Sequence, residues 1–180
     1  NYGYHLDAGK FAGLLQRHCT EKLGVRHVLD HVVSVDGEPG EDVRSVTTKS
    51  HGPIEGDLFI DCTGFSSLLM ERHFNIPFVG CRGVLFNDSA LAAQVPYRSE
   101  TDPVASHTIS TAQESGWTWD IGLSSRRGVG YTWSSDHGND SDAERVLAAY
   151  IAKTSGVTLD DLEPRKIAFT PGYREKFWHR

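Results

Sequence analysis

Apolar residues near the start of the chain recur at helical spacing. Phe11, Leu14, Leu15, Cys19 and Leu23 fall on one stripe, Asp7 stands where a helix needs a capping acceptor, and Gly24 offers a stop. The pattern predicts a helix over residues 8–23. The rhythm then shortens. "VRHVL" (25–29) and "HVVSV" (31–35) read as short strands, the second with Val33 and Val35 on one face. "DGEPGED" reads as a turn, "VRSVTTK" as a strand and "SHGPIEG" as a further turn. In "DLFIDCTG" (57–64), Leu58, Phe59 and Ile60 run without a polar break, the habit of a strand buried on both faces. Gly64 closes that run, and "SSLLMERHF" reads as helix.

Past residue 80 the texture changes. "GVLFNDSALAAQVP", "VASHTISTAQ", "GWTWDIGL" and "RGVGYTWSS" are strand-like segments separated by turn signals, which predicts a mainly antiparallel sheet. Residues 140–154 predict a helix capped by Asp140 or Ser141, with Val146, Leu147, Tyr150 and Ile151 on one face; "RKIAF" predicts a last strand. The expected fold class is α/β with an adjoining antiparallel sheet. It forms one partial domain, with the α/β region over 1–79 and the sheet and helix over 80–180.

Composition narrows the function classes. Apolar residues at 38% are enough for a packed core, so disorder is excluded. A net charge of -6 gives a polyanion nothing to bind, so nucleic acid is excluded as a partner. The three cysteines, Cys19, Cys62 and Cys81, lie far apart with no C-x-x-C pair. A disulfide framework or zinc site is therefore not expected, and the reducing cytoplasm is the expected setting. No apolar run approaches the length of a membrane span.

Two stretches could carry chemistry. At the end of "DLFIDCTG", Gly64 would let a ligand approach the backbone, and the N–H groups around Thr63 and Gly64 could meet phosphate or ribose oxygens. The alternative is a plain strand-to-helix turn, with Cys62 as small packing. In "GWTWDIG", Trp117 and Trp119 share one strand face while Thr118 and Asp120 take the other. Such a pair can wall a pocket for a planar ligand, or it can simply pack in a core.

Other features give less. His27 and His31 are four apart, but across strand, bend and strand, where that spacing loses its metal-binding meaning, so no metal is expected. Arg126 and Arg127 could bind an anion, and solvated flanks of a strand are the simpler reading. "RGVGY" lacks the full G-x-G-x-x-G pattern and opens no predicted helix. Asp160, Asp161 and Glu163 read as a solvated turn before Pro164.

Four blocks, "YHLDAGKFAGLL", "DLFIDCTGFSSLL", "NDSALAAQVP" and "ESGWTWDIGLSSRRGVGYTWSS", stand in this order, and together they carry a resemblance. From Tyr4 to about Trp178 the chain resembles the flavin-dependent tryptophan halogenases. The resemblance implies a flavin-monooxygenase-like fold with an FAD-binding α/β part and a substrate-side sheet. It implies a reaction in which reduced FAD, dioxygen and halide give hypohalous acid, which halogenates tryptophan, indole or a similar aromatic. A flavin reductase would supply the reduced cofactor. Asp61, Cys62, Thr63 and Gly64 would lie near FAD, and Val32 or Val33 would offer a backbone contact to its adenine end.

Trp117, Trp119 and Ile121 match the family's G-W-x-W-x-I-P motif and would wall the tunnel beside the flavin. Gly122 stands where many members have proline; a looser backbone there points to free indole or another aromatic as substrate. The resemblance places no catalytic residue in this chain. The family's Gly-rich FAD fingerprint and lysine are expected upstream, and its glutamate and halide-binding loop downstream, so these 180 residues alone are expected to be inactive. The alternatives are a flavin monooxygenase that hydroxylates or epoxidises, and a non-catalytic flavin-binding remnant.

Overall fold

The computed structural model describes residues 3–179. The chain divides into two compact units, one of Asn1–Leu15 with Cys81–Pro171, the other of Gln16–Gly80 with Gly172–Arg180. Helix α1 (Ala8–Lys22) opens where Asp7 Oδ1 accepts from the Gly9 and Lys10 N–H groups at 3.1 and 3.2 Å. None of its residues is buried, so the apolar stripe of Phe11, Leu14 and Leu15 is legible in the sequence but uncovered by the described residues.

In the second unit, β1 (Val32–Asp36), β2 (Ser45–Thr48) and β3 (Gly52–Glu55) form an antiparallel sheet in that order, and β4 (Phe78–Gly80) waits for a partner at the far end of the chain. Four sequence expectations are corrected here. Val25–Leu29 forms no strand. "SHGPIEG" is not only a turn: Gly52, at φ +71, begins β3, and Pro53 is tolerated because β3 is an edge strand. "DLFIDCTG" is not a buried strand. Leu58 and Ile60 are 61% and 79% exposed, and the segment finds no ladder partner among the described residues. The predicted helix at 66–74 is a single π-helical turn, Leu68–His73, preceded by a 3-10 turn at Gly64–Ser66.

The first unit holds the packed core. Strands β5 (Ser89–Val95), β6 (Ile109–Gln113), β7 (Gly116–Gly122), β8 (Arg127–Trp133) and β9 (Arg165–Ala168) form a five-stranded antiparallel sheet in the order β6-β7-β8-β5-β9. Helix α2 (Asp140–Ser155) lies against one face. Its N-cap is Asn139, whose side chain accepts from the Asp142 N–H at 3.0 Å; the predicted caps, Asp140 and Ser141, fall inside the first turn. Ala143, Leu147, Ile151 and Ser155, four apart in turn, are buried, and the first three join Leu91, Ala93, Val95, Val129, Tyr131 and Trp133 of the sheet in one apolar core. Asp88 joins the start of β5 to the end of β8, accepting from the Ser135 N–H at 2.9 Å and the Ser135 hydroxyl at 2.7 Å. Strand β10 (Gly172–Arg174) returns to pair with β4 in the second unit.

Among the described residues no helix is long and apolar enough to cross a membrane, and no group of three or more His, Cys, Asp or Glu is placed to hold a metal ion. Leu147 is fully buried at the centre of the helix–sheet contact. Leu147→Ala is expected to cost about 3 kcal/mol of stability, through lost burial plus the residual cavity; urea unfolding followed by circular dichroism measures it.

Candidate functional site

The two candidate stretches fall in different units. In the second unit the turn at 61–64 is organised by Asp61. Its Oδ1 accepts from the Thr63 N–H at 3.1 Å and the Thr63 hydroxyl at 2.6 Å, and its Oδ2 from the Leu69 and Met70 N–H groups at 2.9 and 3.1 Å. The carboxylate is thus committed to shaping the turn and to satisfying N–H groups at the start of the π-helical turn. Burial acts to raise its pKa, but the Thr63 hydroxyl and the backbone donors of Met70, Thr63 and Leu69 outweigh it, so the group titrates below its ordinary value. Gly64 takes φ +62, and a side chain there would meet nothing within 4 Å: the glycine serves the backbone conformation and leaves the approach open.

Asp61 and Gly64 line a cavity of about 550 Å³ with Leu69, Phe74, Trp178 and His179. The His179 ring lies 4.2 Å from that of Phe74, and its Nε2 is buried with no hydrogen-bond partner among the described residues. Cys62 and Thr63 are exposed on the turn and do not line the cavity. Nor do Val32 and Val33. They sit on the outer strand of the β1-β2-β3 sheet, where the register slips between Val32 and Ser34 and leaves Val33 out of the ladder.

In the first unit, strand pairing decides which way the tryptophans face. Trp117 lies opposite Ala112 and Thr132, Trp119 opposite Ser110 and Gly130, and Ile121 opposite Gly128. The alternate residues, Thr118 and Asp120, lie on the α2 side and are buried. The tryptophans therefore do not belong to the packed core, and Trp117 is 41% exposed. Their rings meet edge to face with centroids 6.1 Å apart. Trp119 lies across Gly130 so closely that a Cβ there would stand 2.1 Å from its Cζ2. Beside it an open groove of about 520 Å³ is lined by Ala92, Gln94, Gly128, Arg165 and Ile167. Small side chains on β5 and β8 make a shelf, and the indole is its wall.

Gly122 is not the loose joint expected of it. It is a regular ladder residue opposite Arg127. What glycine supplies is room, because a Cβ would come within 3.1 Å of the Ala105 carbonyl oxygen and a Val104 methyl. The arginines are not solvated flanks either. Arg126 pairs with Asp7 at 3.2 Å. Arg127 forks onto Asp120, Nε to Oδ1 at 3.0 Å and Nη2 to Oδ2 at 2.5 Å, and also reaches the Thr154 carbonyl and hydroxyl at 3.2 and 2.9 Å. Tyr150 donates to Asp120 Oδ2 at 3.1 Å. Burial, and then the Asp120 charge, raises the Tyr150 phenol above its ordinary value, so it stays a donor at neutral pH. A charge on the strand face that alternation assigns to the core was the signal for this network, since a buried carboxylate requires a partner.

The sequence profile of the tryptophan halogenase family matches residues 1–180. Tryptophan 6-halogenase SttH of Streptomyces toxytricini is 38% identical over 177 residues, covering 98% of this chain and 33% of that protein. Tryptophan 7-halogenase RebH of Lentzea aerocolonigenes is 41% identical over 145 residues, 81% of this chain and 27% of that protein. The crystal structure of a tryptophan halogenase from Shewanella frigidimarina superposes with a TM-score of 0.91 at 53% identity, covering 99% of this chain and 34% of that one. A flavin-dependent halogenase from Xanthomonas campestris superposes with a TM-score of 0.89 at 34% identity, covering 99% of this chain and 35% of that one. The chain thus spans about a third of the length of the curated relatives it matches.

Two measurements test this geometry. Gly130→Ala should displace the Trp119 indole, shift the tryptophan emission and cost about 1–3 kcal/mol. Gly128→Ala, with nothing within 4 Å of its new methyl, should change neither. On acidification the contribution of Asp61 is present above its ordinary pKa of 3.8 and is lost as pH falls through the lower value it has when folded. Asp61→Asn should remove that part of the acid transition in a titration followed by amide exchange at Leu69 and Met70.

Proposed function

The chain belongs to the tryptophan halogenase family, and from that premise we propose that it is part of a flavin-dependent enzyme that halogenates tryptophan, indole or a similar electron-rich aromatic. The observation that carries the reading is the aromatic face of β7: two indoles and Ile121 are turned away from the packed core, and Trp119 walls an open groove. By contrast Trp133, on the other side of the sheet, is buried in the packed core.

FAD is the proposed cofactor, and the second unit fits it. The cavity beside Gly64 joins apolar walls at Leu69, Phe74 and Trp178 to a buried, unpartnered His179 Nε2, and Gly64 leaves room for a close approach. Asp61 holds the turn in shape; the backbone around Cys62, Thr63 and Gly64, and the backbone of Val32 or Val33 at the register shift, are the proposed contacts. When bound and reduced, FAD with dioxygen supplies the oxidising equivalent that turns halide into hypohalous acid. Trp117, Trp119 and Ile121 then act by excluding water from the passage of that oxidant. The residues that handle the oxidant at the substrate are proposed to lie elsewhere in the longer protein. A flavin reductase is the proposed partner. The cytoplasm is the proposed setting, in keeping with three cysteines that lie far apart in the sequence with no C-x-x-C pair.

The test uses the full-length protein with FAD, a reducing system, chloride or bromide, and tryptophan or indole, with products read by mass spectrometry. Halogenated product is expected; hydroxylated product, or none with either aromatic, would contradict the reading. Trp119→Ala and Trp117→Ala should keep FAD affinity and lose about tenfold or more of the halogenated product. Gly64→Val should lose FAD affinity, its φ of +62 being unsuited to a β-branched side chain.

A further inference from the structure

We infer that the buried pair Asp120–Arg127, backed by Tyr150 and Thr154, is a positioning device that sets the height and tilt of Trp119 and Ile121 from the opposite side of their strand. Its consequence for turnover rests on the halogenase reading; its geometry does not.

Asp120 stands between Trp119 and Ile121 on β7, with its side chain on the α2 face. Arg127 holds both of its oxygens in a fork and anchors that fork to the Thr154 carbonyl and hydroxyl in the last turn of α2. The Thr154 hydroxyl in turn donates to the Tyr150 carbonyl at 2.8 Å, and the Tyr150 phenol returns to Asp120. The ring of contacts closes from strand to helix and back, with the two ionic side chains 6% and 11% exposed.

Stability alone does not explain such an arrangement. Apolar side chains of similar volume would join the sheet to the helix at least as firmly, because a buried ion pair loses in desolvation much of what it gains in attraction. What a forked pair adds is direction: it fixes the carboxylate in a plane and thereby fixes the backbone that carries it. On the groove side Trp119 meets the Trp117 ring edge to face and rests on the bare backbone of Gly130, beside a shelf made by Ala92 and Gly128. Those contacts bound the ring, and the backbone from which it springs is held from Asp120, one residue along.

The test uses the full-length holoenzyme labelled with 5-fluorotryptophan, the Trp119 resonance being assigned by Trp119→Phe. Asp120→Leu combined with Arg127→Met removes both charges and leaves neither orphaned; Arg127→Lys keeps the charge and loses the fork; Tyr150→Phe removes one bond. In the double variant and in Arg127→Lys we expect cooperative unfolding close to the wild-type temperature. The Trp119 fluorine resonance should be shifted or broadened, and halogenated product per reduced flavin oxidised should fall about tenfold, with flavin oxidation itself unslowed. Tyr150→Phe should move the resonance less.

A folded double variant with an unmoved Trp119 resonance overturns the inference, as does a moved resonance with undiminished yield. If the double variant fails to fold, an unmoved resonance in Arg127→Lys overturns it. A resonance that moves in a protein whose wild type yields no halogenated product supports the positioning geometry and defeats the halogenase reading instead.

Discussion

Everything at the candidate site depends on the ladder between β7 and β8. That pairing places Thr118 and Asp120 on the side of α2 and turns Trp117, Trp119 and Ile121 to the other. A slip of one residue would exchange the two faces, burying the indoles under the helix and exposing the carboxylate. Each side has a device that makes the observed register the only comfortable one. On the core side Arg127 waits at one end of β8 for Asp120. On the groove side the bare backbone of Gly130 leaves the room that the Trp119 ring occupies.

The second unit follows a different logic. Its cavity has charged side chains on its walls, Asp57, Arg174 and Lys176 among them, but the turn at Asp61 offers no free charge. Asp61, the obvious candidate for a ligand contact, spends both oxygens on the neighbouring backbone, and the result is a rigid turn with Gly64 at its open corner. Binding there would draw on shape and backbone donors. Such a site suits a cofactor with many polar atoms distributed along a long body, and it explains why the side chains of Cys62 and Thr63 can stay at the surface.

The sequence made the first unit largely readable, because its strands alternate and its helix repeats within the chain itself. The α2 face of Leu147 and Ile151, the antiparallel sheet and the shared face of the tryptophans all follow from local periodicity. What stayed hidden was pairing across distance. The Asp120–Arg127 fork joins two strands to a helix, and Arg127 in isolation looks like any solvated arginine. The β4–β10 pair joins segments almost a hundred residues apart and has no local signature. The expectation of a doubly covered strand at Leu58–Ile60 is not met among the described residues, where the run is exposed and has no ladder partner, and the stripe on α1 is uncovered by them in the same way. Of the proposed cofactor contacts, the Gly64 turn was legible from its glycine, whereas the slipped register at Val33 required coordinates.

The central claim is that the β7 face is a functional wall and not a packing surface awaiting cover. The most direct measurement is a structure of the full-length protein with FAD bound. The account predicts Trp117, Trp119 and Ile121 lining a passage that leads from the flavin, with the groove beside Trp119 open to it. A structure in which another segment of the protein packs over both indoles and fills the groove, with the flavin reached by some other route, would contradict it.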